Sequence, residues 1–232
     1  YTIVPTLPNG TPITDVNTPT GTGSPDDPTN PNGGFPDIPG YTRTTTPVVP
    51  GKPGNVAVIY TPDPEEVAVH YYFKGTTTTI PVAKTTTTKG LFGQRYRIDA
   101  TSFSGYTLVQ TPNNAVGTFG LKNQPVNYYY LMDYDIVPVD GDGHVIPNAP
   151  TTAAIGLPGA PILTAQLPNI PGYTLVTTTA HVPGQPDTVK VVYVKQQPNE
   201  PGKPDQPNKP AQPTQPTNPS QPKQPLQPTQ PS

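Results

Sequence analysis

The chain has 232 residues, with 38 prolines, 21 glycines and 36 threonines but only 31% hydrophobic residues, a net charge of −2 and no cysteine. Without cysteine there is no disulfide, thiolate metal site, iron–sulfur cluster or cysteine nucleophile. The near balance of 13 basic and 15 acidic residues gives no electrostatic footprint for nucleic acid or anionic lipid. No apolar run approaches the ~20 residues of a membrane span. No apolar export segment opens the chain, so it reads as a mature piece of something larger.

The first predicted element is Tyr1-Thr-Ile-Val-Pro5, an alternating strand that turns at Asn9-Gly10, a hairpin signal. Prolines at 5, 12, 25, 28, 31, 36 and 39 exclude a long helix here, and 16–37 is rich in Gly, Pro and Asp. Ile38-Pro-Gly-Tyr41-Thr42 follows, and then a second alternating strand, Val56-Ala-Val-Ile-Tyr60. The link Pro62-Asp-Pro64 is short and should limit bending. Glu65 and Glu66 are read as part of that linker.

The same order of features then returns. Val67-Ala-Val-His-Tyr-Tyr-Phe73 is the next opening strand, with its turn at Lys74-Gly75. The threonine runs 76–79 and 85–88 read as solvated β-structure or loop edges whose hydroxyls could meet glycans or carry O-linked sugars. Gly90 and Gly93 come next, then Ser104-Gly-Tyr106-Thr107, a degenerate copy of the Ile-Pro-Gly-Tyr-Thr element, and the closing strand Val126-Asn-Tyr-Tyr-Tyr130. The third round comprises Tyr134-Asp-Ile-Val-Pro138, Asp142-Gly143, Gly156 and Gly159, Ile170-Pro-Gly-Tyr173-Thr174 and Val189-Lys-Val-Val-Tyr193. At most a helical turn is expected, at Ala153–Leu157 before Pro158. Tyr41, Tyr106 and Tyr173 lie 65 and 67 residues apart. Three repeats are therefore expected, at 1–62, 65–132 and 133–195, mainly β because Thr, Val, Ile and Tyr favour pleated, half-buried strands. Each is near the ~60 residues at which a lone core is marginal, so neighbour contacts should contribute.

From 196 to 232 the composition changes. Proline recurs every third residue from Pro198 to Pro231, the period of polyproline II, which rises ~3.1 Å per residue. Leu226 is the only large apolar side chain after Val194, so this stretch is expected to be a polyproline-II or disordered spacer, with a ligand for a proline-binding groove as the alternative.

The ordered set of opening strand, turn, middle Gly, Ile-Pro-Gly-Tyr-Thr and terminal Val-x-Val-x-Tyr resembles the mucin-binding repeats of lactobacillal cell-surface adhesins. The middle repeat, with Gly105-Tyr106-Thr107-Leu108-Val109, Pro112-Asn-Asn-Ala115 and Gly117-Thr-Phe119, is similar to the single mucin-binding module. The outer repeats look like its longer-loop variants, and 16–37 departs most from the pattern. The resemblance implies a mainly β (α+β) chain of tandem β-grasp, ubiquitin-like modules in an elongated, monomeric rod. It also implies binding to mucin glycoproteins and, in some members, immunoglobulins, on an extracellular, cell-wall-attached protein with no cofactor. The proline-rich tail is similar to a wall-spanning segment, although the Leu-Pro-x-Thr-Gly sorting signal is absent from this chain. A stalk that merely projects a distal adhesive domain is the alternative function.

In a β-grasp the first and last strands pair at the centre of the sheet. Alternation then points Val67, Val69, Tyr71 and Phe73, with Val126, Tyr128 and Tyr130, to one face. His70, Tyr72, Asn127 and Tyr129 share the other face and are the candidate ligand-binding residues: aromatic rings stack on sugar C–H faces while amide and imidazole groups take hydroxyls. The alternative is that they pack between repeats or shield the sheet. Asp140-Gly-Asp142-Gly143 resembles the start of a Ca²⁺ loop but lacks the later Glu, and is read as a turn. No catalytic site is expected, because His70, His144 and His181 fall at unrelated positions and no serine is flanked as Gly-x-Ser-x-Gly.

Overall fold

A computed structural model describes residues 1–177 and 179–197, and the proline-rich tail lies outside the described residues. In the first repeat β1 (Thr2–Thr6), β2 (Tyr41–Arg43) and β3 (Asn55–Pro62) form a sheet in the order β1-β3-β2. β1 runs parallel to β3 and β2 antiparallel to it. Only isolated bridges, such as Thr2 to Thr20, stand where a hairpin partner of β1 would lie.

The second repeat contributes β4 (Pro64–Phe73), β5 (Thr86–Leu91), β6 (Arg95–Arg97), β7 (Tyr106–Gln110) and β8 (Val116–Thr118). It ends in β9 (Val126–Val139), a strand of 14 residues. The third repeat adds β10 (Thr152–Gly156), β11 (Pro161–Ile162), β12 (Tyr173–Leu175), β13 (Ala180–His181) and β14 (Thr188–Lys195), with one 3₁₀ turn at Thr164–Gln166. β6 pairs with β8 and β11 with β13, as two small antiparallel sheets.

The remaining strands belong to one seven-stranded sheet. On the N-terminal half of β9, β4 is a parallel partner and β7 an antiparallel one. On its C-terminal half, β14 is the parallel partner and β10 the antiparallel one. β5 pairs antiparallel with β4, and β12 with β14. The second and third repeats thus have the same local order: hairpin partner, opening strand, closing strand, tyrosine strand. First and last strands are parallel neighbours in all three repeats.

Two sequence readings are corrected, and one strand runs across an expected repeat boundary. Residue pair 132/133, expected to divide the second and third repeats, lies inside the unbroken β9. Met132 and Tyr134 belong to one contiguous core running from Val67 to Tyr193, whereas the first repeat keeps a separate core around Ile3, Ile38, Val56, Val58 and Tyr60. Ala153–Leu157 is not helical: Thr152–Gly156 is strand β10, whose pairing with β9 outweighs the helix preference of its alanines. Glu65 and Glu66 are in β4, where Glu65 Oε2 accepts a hydrogen bond from Asn123 Nδ2 at 3.1 Å.

The recurrent motifs have structural causes. Tyr41, Tyr106 and Tyr173 each donate their backbone N–H to the residue three before, Ile38, Phe103 and Ile170. The intervening Gly40, Gly105 and Gly172 have φ between 78° and 84°, as the third position of a type II turn requires. The closing strand locks this turn. Tyr60, Tyr130 and Tyr193 donate their hydroxyls to the carbonyls of Pro36, Thr101 and Pro168, at 2.7, 2.6 and 2.5 Å. Each acceptor lies two residues before the turn.

Burial raises the hydroxyl pKa of all three tyrosines, and that of Tyr130 to about 12, with Tyr71 and Tyr128 adding to the rise. The folded state therefore holds the Tyr130 proton after the unfolded chain has lost it at ~10. This contribution to stability is complete below about pH 10 and lost between about 10 and 12. Tyr130→Phe is expected to cost about 1–2 kcal/mol at pH 7 by orphaning the Thr101 carbonyl, and to flatten the alkaline loss. Denaturant titrations of both proteins from pH 7 to 12 check this.

Candidate functional site

The site is built on the central parallel pair of the second repeat. In β4, Val67, Val69, Tyr71 and Phe73 are buried while Ala68, His70 and Tyr72 alternate with them at half exposure. In β9, Val126, Tyr128 and Tyr130 are buried, and Asn127, Tyr129 and Leu131 alternate. The register places His70 beside Asn127 and Tyr72 beside Tyr129. All four sequence-predicted residues therefore lie together on the sheet face opposite the core.

Their geometry is aromatic. The His70 and Tyr72 rings stack, with centroids 5.4 Å apart and planes 16° from parallel. Tyr72 and Tyr129 are tilted at 42°, with centroids 6.3 Å apart. His70 Nδ1 is 3.1 Å from Thr85 Oγ1, in the second threonine run. Asn127 Oδ1 is buried and makes no hydrogen bond. An unpaired buried amide oxygen is costly, and this one lies beneath the face, out of reach of solvent.

Beyond Tyr129 the face opens into a groove of about 680 Å³ lined by Gly75, Thr76, Thr77, Thr78, Gln110 and Tyr129. No lining side chain is charged. The first threonine run was legible as a candidate hydroxyl surface. Gln110 was not: only the pairing of β7 with β9, which sets it against Tyr129, brings it there, and no local motif announces that pairing.

Asp140, Asp142 and His144 bring ligand atoms within 4.8 Å of one another. Asp140 Oδ1 accepts the backbone N–H groups of Asp142 and His144 at 3.0 and 2.9 Å, so the cluster is the side-chain-capped turn that Asp142-Gly143 predicts.

The structure is thus a tandem β-repeat with parallel first and last strands and aromatic rings on the sheet face opposite the core. The MucBP domain matches residues 7–74, 67–131 and 139–197; the chain belongs to this family of mucin-binding repeats. The family is one of adhesin-type repeats on bacterial surface proteins and not of enzymes. The chain is similar to Internalin J of Listeria monocytogenes serovar 1/2a (strain ATCC BAA-679 / EGD-e), at 32% identity over 151 residues, or 59% of this chain and 17% of that protein. It is also similar to Internalin J of L. monocytogenes serotype 4b (strain F2365), at 33% identity over 124 residues, 49% of this chain and 13% of that protein. It thus spans less than a fifth of either relative. No helix among the described residues is long and apolar enough to cross a membrane.

Proposed function

We propose that this chain is part of a cell-wall-attached adhesin that binds host mucin glycoproteins through weak, repeated, glycan-contacting sites. The repeats are read as tandem β-grasp modules at 1–62, 65–132 and 133–195 in a monomeric rod, with 196–232 as a wall-spanning linker. The carrying observation is the cluster of His70, Tyr72 and Tyr129 rings, with Asn127 beside His70, on the face opposite the core. Ring faces offer C–H stacking to a pyranose, and the amide and threonine hydroxyls offer hydrogen bonds to its hydroxyls. The uncharged groove beside Tyr129 favours neutral sugar surface. Repetition converts weak single sites into useful avidity.

Full-length chain on immobilised mucin is expected to bind and to be competed by free mucin-type glycans. Tyr72→Ala and Tyr129→Ala should each weaken binding by about two- to tenfold, from stacking worth ~0.5–1.5 kcal/mol per ring, with unchanged circular dichroism. Retained binding in the double variant rejects this face, and capture by immunoglobulin but not mucin moves the reading to a protein ligand. A second reading, a stalk that projects a distal adhesive domain, is favoured by the continuity of β9 through two repeats. Absence of binding to both ligands selects it.

A further inference from the structure

For tension applied along the chain, the strand order defines one load path. Force entering at β1 crosses the β1/β3 ladder, follows the covalent link through Asp63 into β4, and crosses the β4/β9 ladder. It then runs along β9, crosses the β9/β14 ladder and leaves through β14. Each ladder is parallel and joins five residue pairs: Thr2–Thr6 with Asn55–Ile59, Val69–Phe73 with Val126–Tyr130, and Asp135–Val139 with Thr188–Val192. In every ladder the opening strand is pulled toward its N-terminus and the closing strand toward its C-terminus. Parallel neighbours drawn in opposite directions slide along their length, so all the hydrogen bonds of a ladder are loaded together. An antiparallel hairpin pulled at its open end instead loses its bonds one at a time.

Further features fit this path. The link between the first and second ladders is held by Asp63, whose N–H donates to the Gly40 carbonyl at 2.9 Å and whose carboxylate accepts the Thr42 hydroxyl at 2.6 Å. The same pair of contacts recurs midway along β9. Asp133 N–H donates to Gly105 at 2.9 Å, and its carboxylate accepts the Thr107 hydroxyl at 2.6 Å. The threonine runs and the two small sheets lie off the path, inside the chain that each ladder closes.

We propose that this chain is a tension-bearing element in which three parallel ladders, coupled by Asp63 and by the shared strand β9, act as shear clamps in series. This load-bearing role is independent of whether the aromatic face binds sugar. It suits a protein that must hold a surface against flow.

Full-length chain held by its two ends in a force spectrometer tests the proposal. Asn55 follows Thr2 by 53 residues, Val126 follows Val69 by 57 and Thr188 follows Asp135 by 53. Each rupture should therefore release roughly 17–20 nm of chain, at ~3.3–3.6 Å per residue, or twice that where the second and third repeats give way together. Cys introduced by Val137→Cys and Lys190→Cys would face each other across the third ladder. The natural chain has no cysteine to compete. Their disulfide should abolish the third release, and reduction should restore it.

Direction provides the second arm. Handles at Gly141→Cys and Lys195→Cys grip the same ends of β9 and β14 and peel that ladder from one side. The rupture force should be several-fold lower than for end-to-end pulling. Equal forces in the two directions, extension without releases of the stated length, or a third release that persists in the cross-linked protein would overturn the proposal.

Discussion

Met132→Ala is expected to destabilise the second and third repeats together, by about 2–5 kcal/mol, while leaving the first repeat unchanged. Met132 is the chain's one methionine and is fully buried. It lies in β9 opposite Tyr106 of β7 on one side and Gly156 of β10 on the other. Its side chain belongs to the core that unites the two repeats, so the cavity left by truncation is lined by both. Amide exchange should accelerate in β4 and β7 and equally in β10 and β14. β1–β3, which pack around a separate core, should keep their protection. Acceleration confined to one of the two repeats would show that they fold independently despite sharing a strand.

A comparable loss is expected from Gly90→Val, for the opposite reason. Gly90 lies in β5 facing the core, and a Cβ at this position would come within 2.1 Å of the buried Phe119 ring. Phe119 packs on Tyr96 with ring centroids 5.1 Å apart, and Tyr96 lies in β6 of the β6/β8 sheet. Expelling the ring therefore loosens that sheet as well as β5. Overpacking of this kind costs about 1–3 kcal/mol and more where backbone must shift. Gly120 has open space around its Cβ position, so Gly120→Ala should change stability by no more than about 0.5 kcal/mol. Thermal melts of the two variants beside the parent protein make the comparison. The recurrence of this arrangement at Gly156, where a Cβ would lie 2.7 Å from Val182, accounts for the spacing of the middle glycines.

The parts of the fold that a two-residue period encodes were legible. Val67, Val69, Tyr71 and Phe73 alternate without a break, so which side of β4 faces the core followed from the residues alone, and with it the common face of His70, Tyr72, Asn127 and Tyr129. The turns at Gly10, Gly75 and Gly143, all with positive φ, followed from their Asn-Gly, Lys-Gly and Asp-Gly pairs. What the residues did not reveal depended on partners distant in sequence. Leu131-Met-Asp133 carries no local sign of whether one strand ends and another begins, and only pairing on both sides of Met132 keeps β9 straight through it. Thr152–Gly156 has little alternation and two alanines, so its strand state is imposed by β9. The tyrosine lock was invisible for a related reason. A hydroxyl of the closing strand finds a main-chain carbonyl in the loop before the turn, and a carbonyl has no residue signature. Gln110 enters the groove only through the irregular register between Leu108 and Gln110.

These features make one economical assembly. Buried alternating residues build the sheet, and the central parallel pair of the second repeat displays aromatic rings on its far face. That pair is also part of the path that tension along the chain would follow. The proposed sugar-contacting face lies on the proposed load path, since His70, Tyr72, Asn127 and Tyr129 all lie within the β4/β9 ladder.

The most direct measurement of the functional claim is a glycan array probed in parallel with the full-length chain and with its Tyr72→Ala/Tyr129→Ala variant. The parent protein is predicted to bind neutral mucin-type oligosaccharides, with the signal collapsing in the variant. Equal signals from the two proteins, or parent binding confined to sialylated or sulfated structures and abolished by added salt, would contradict it.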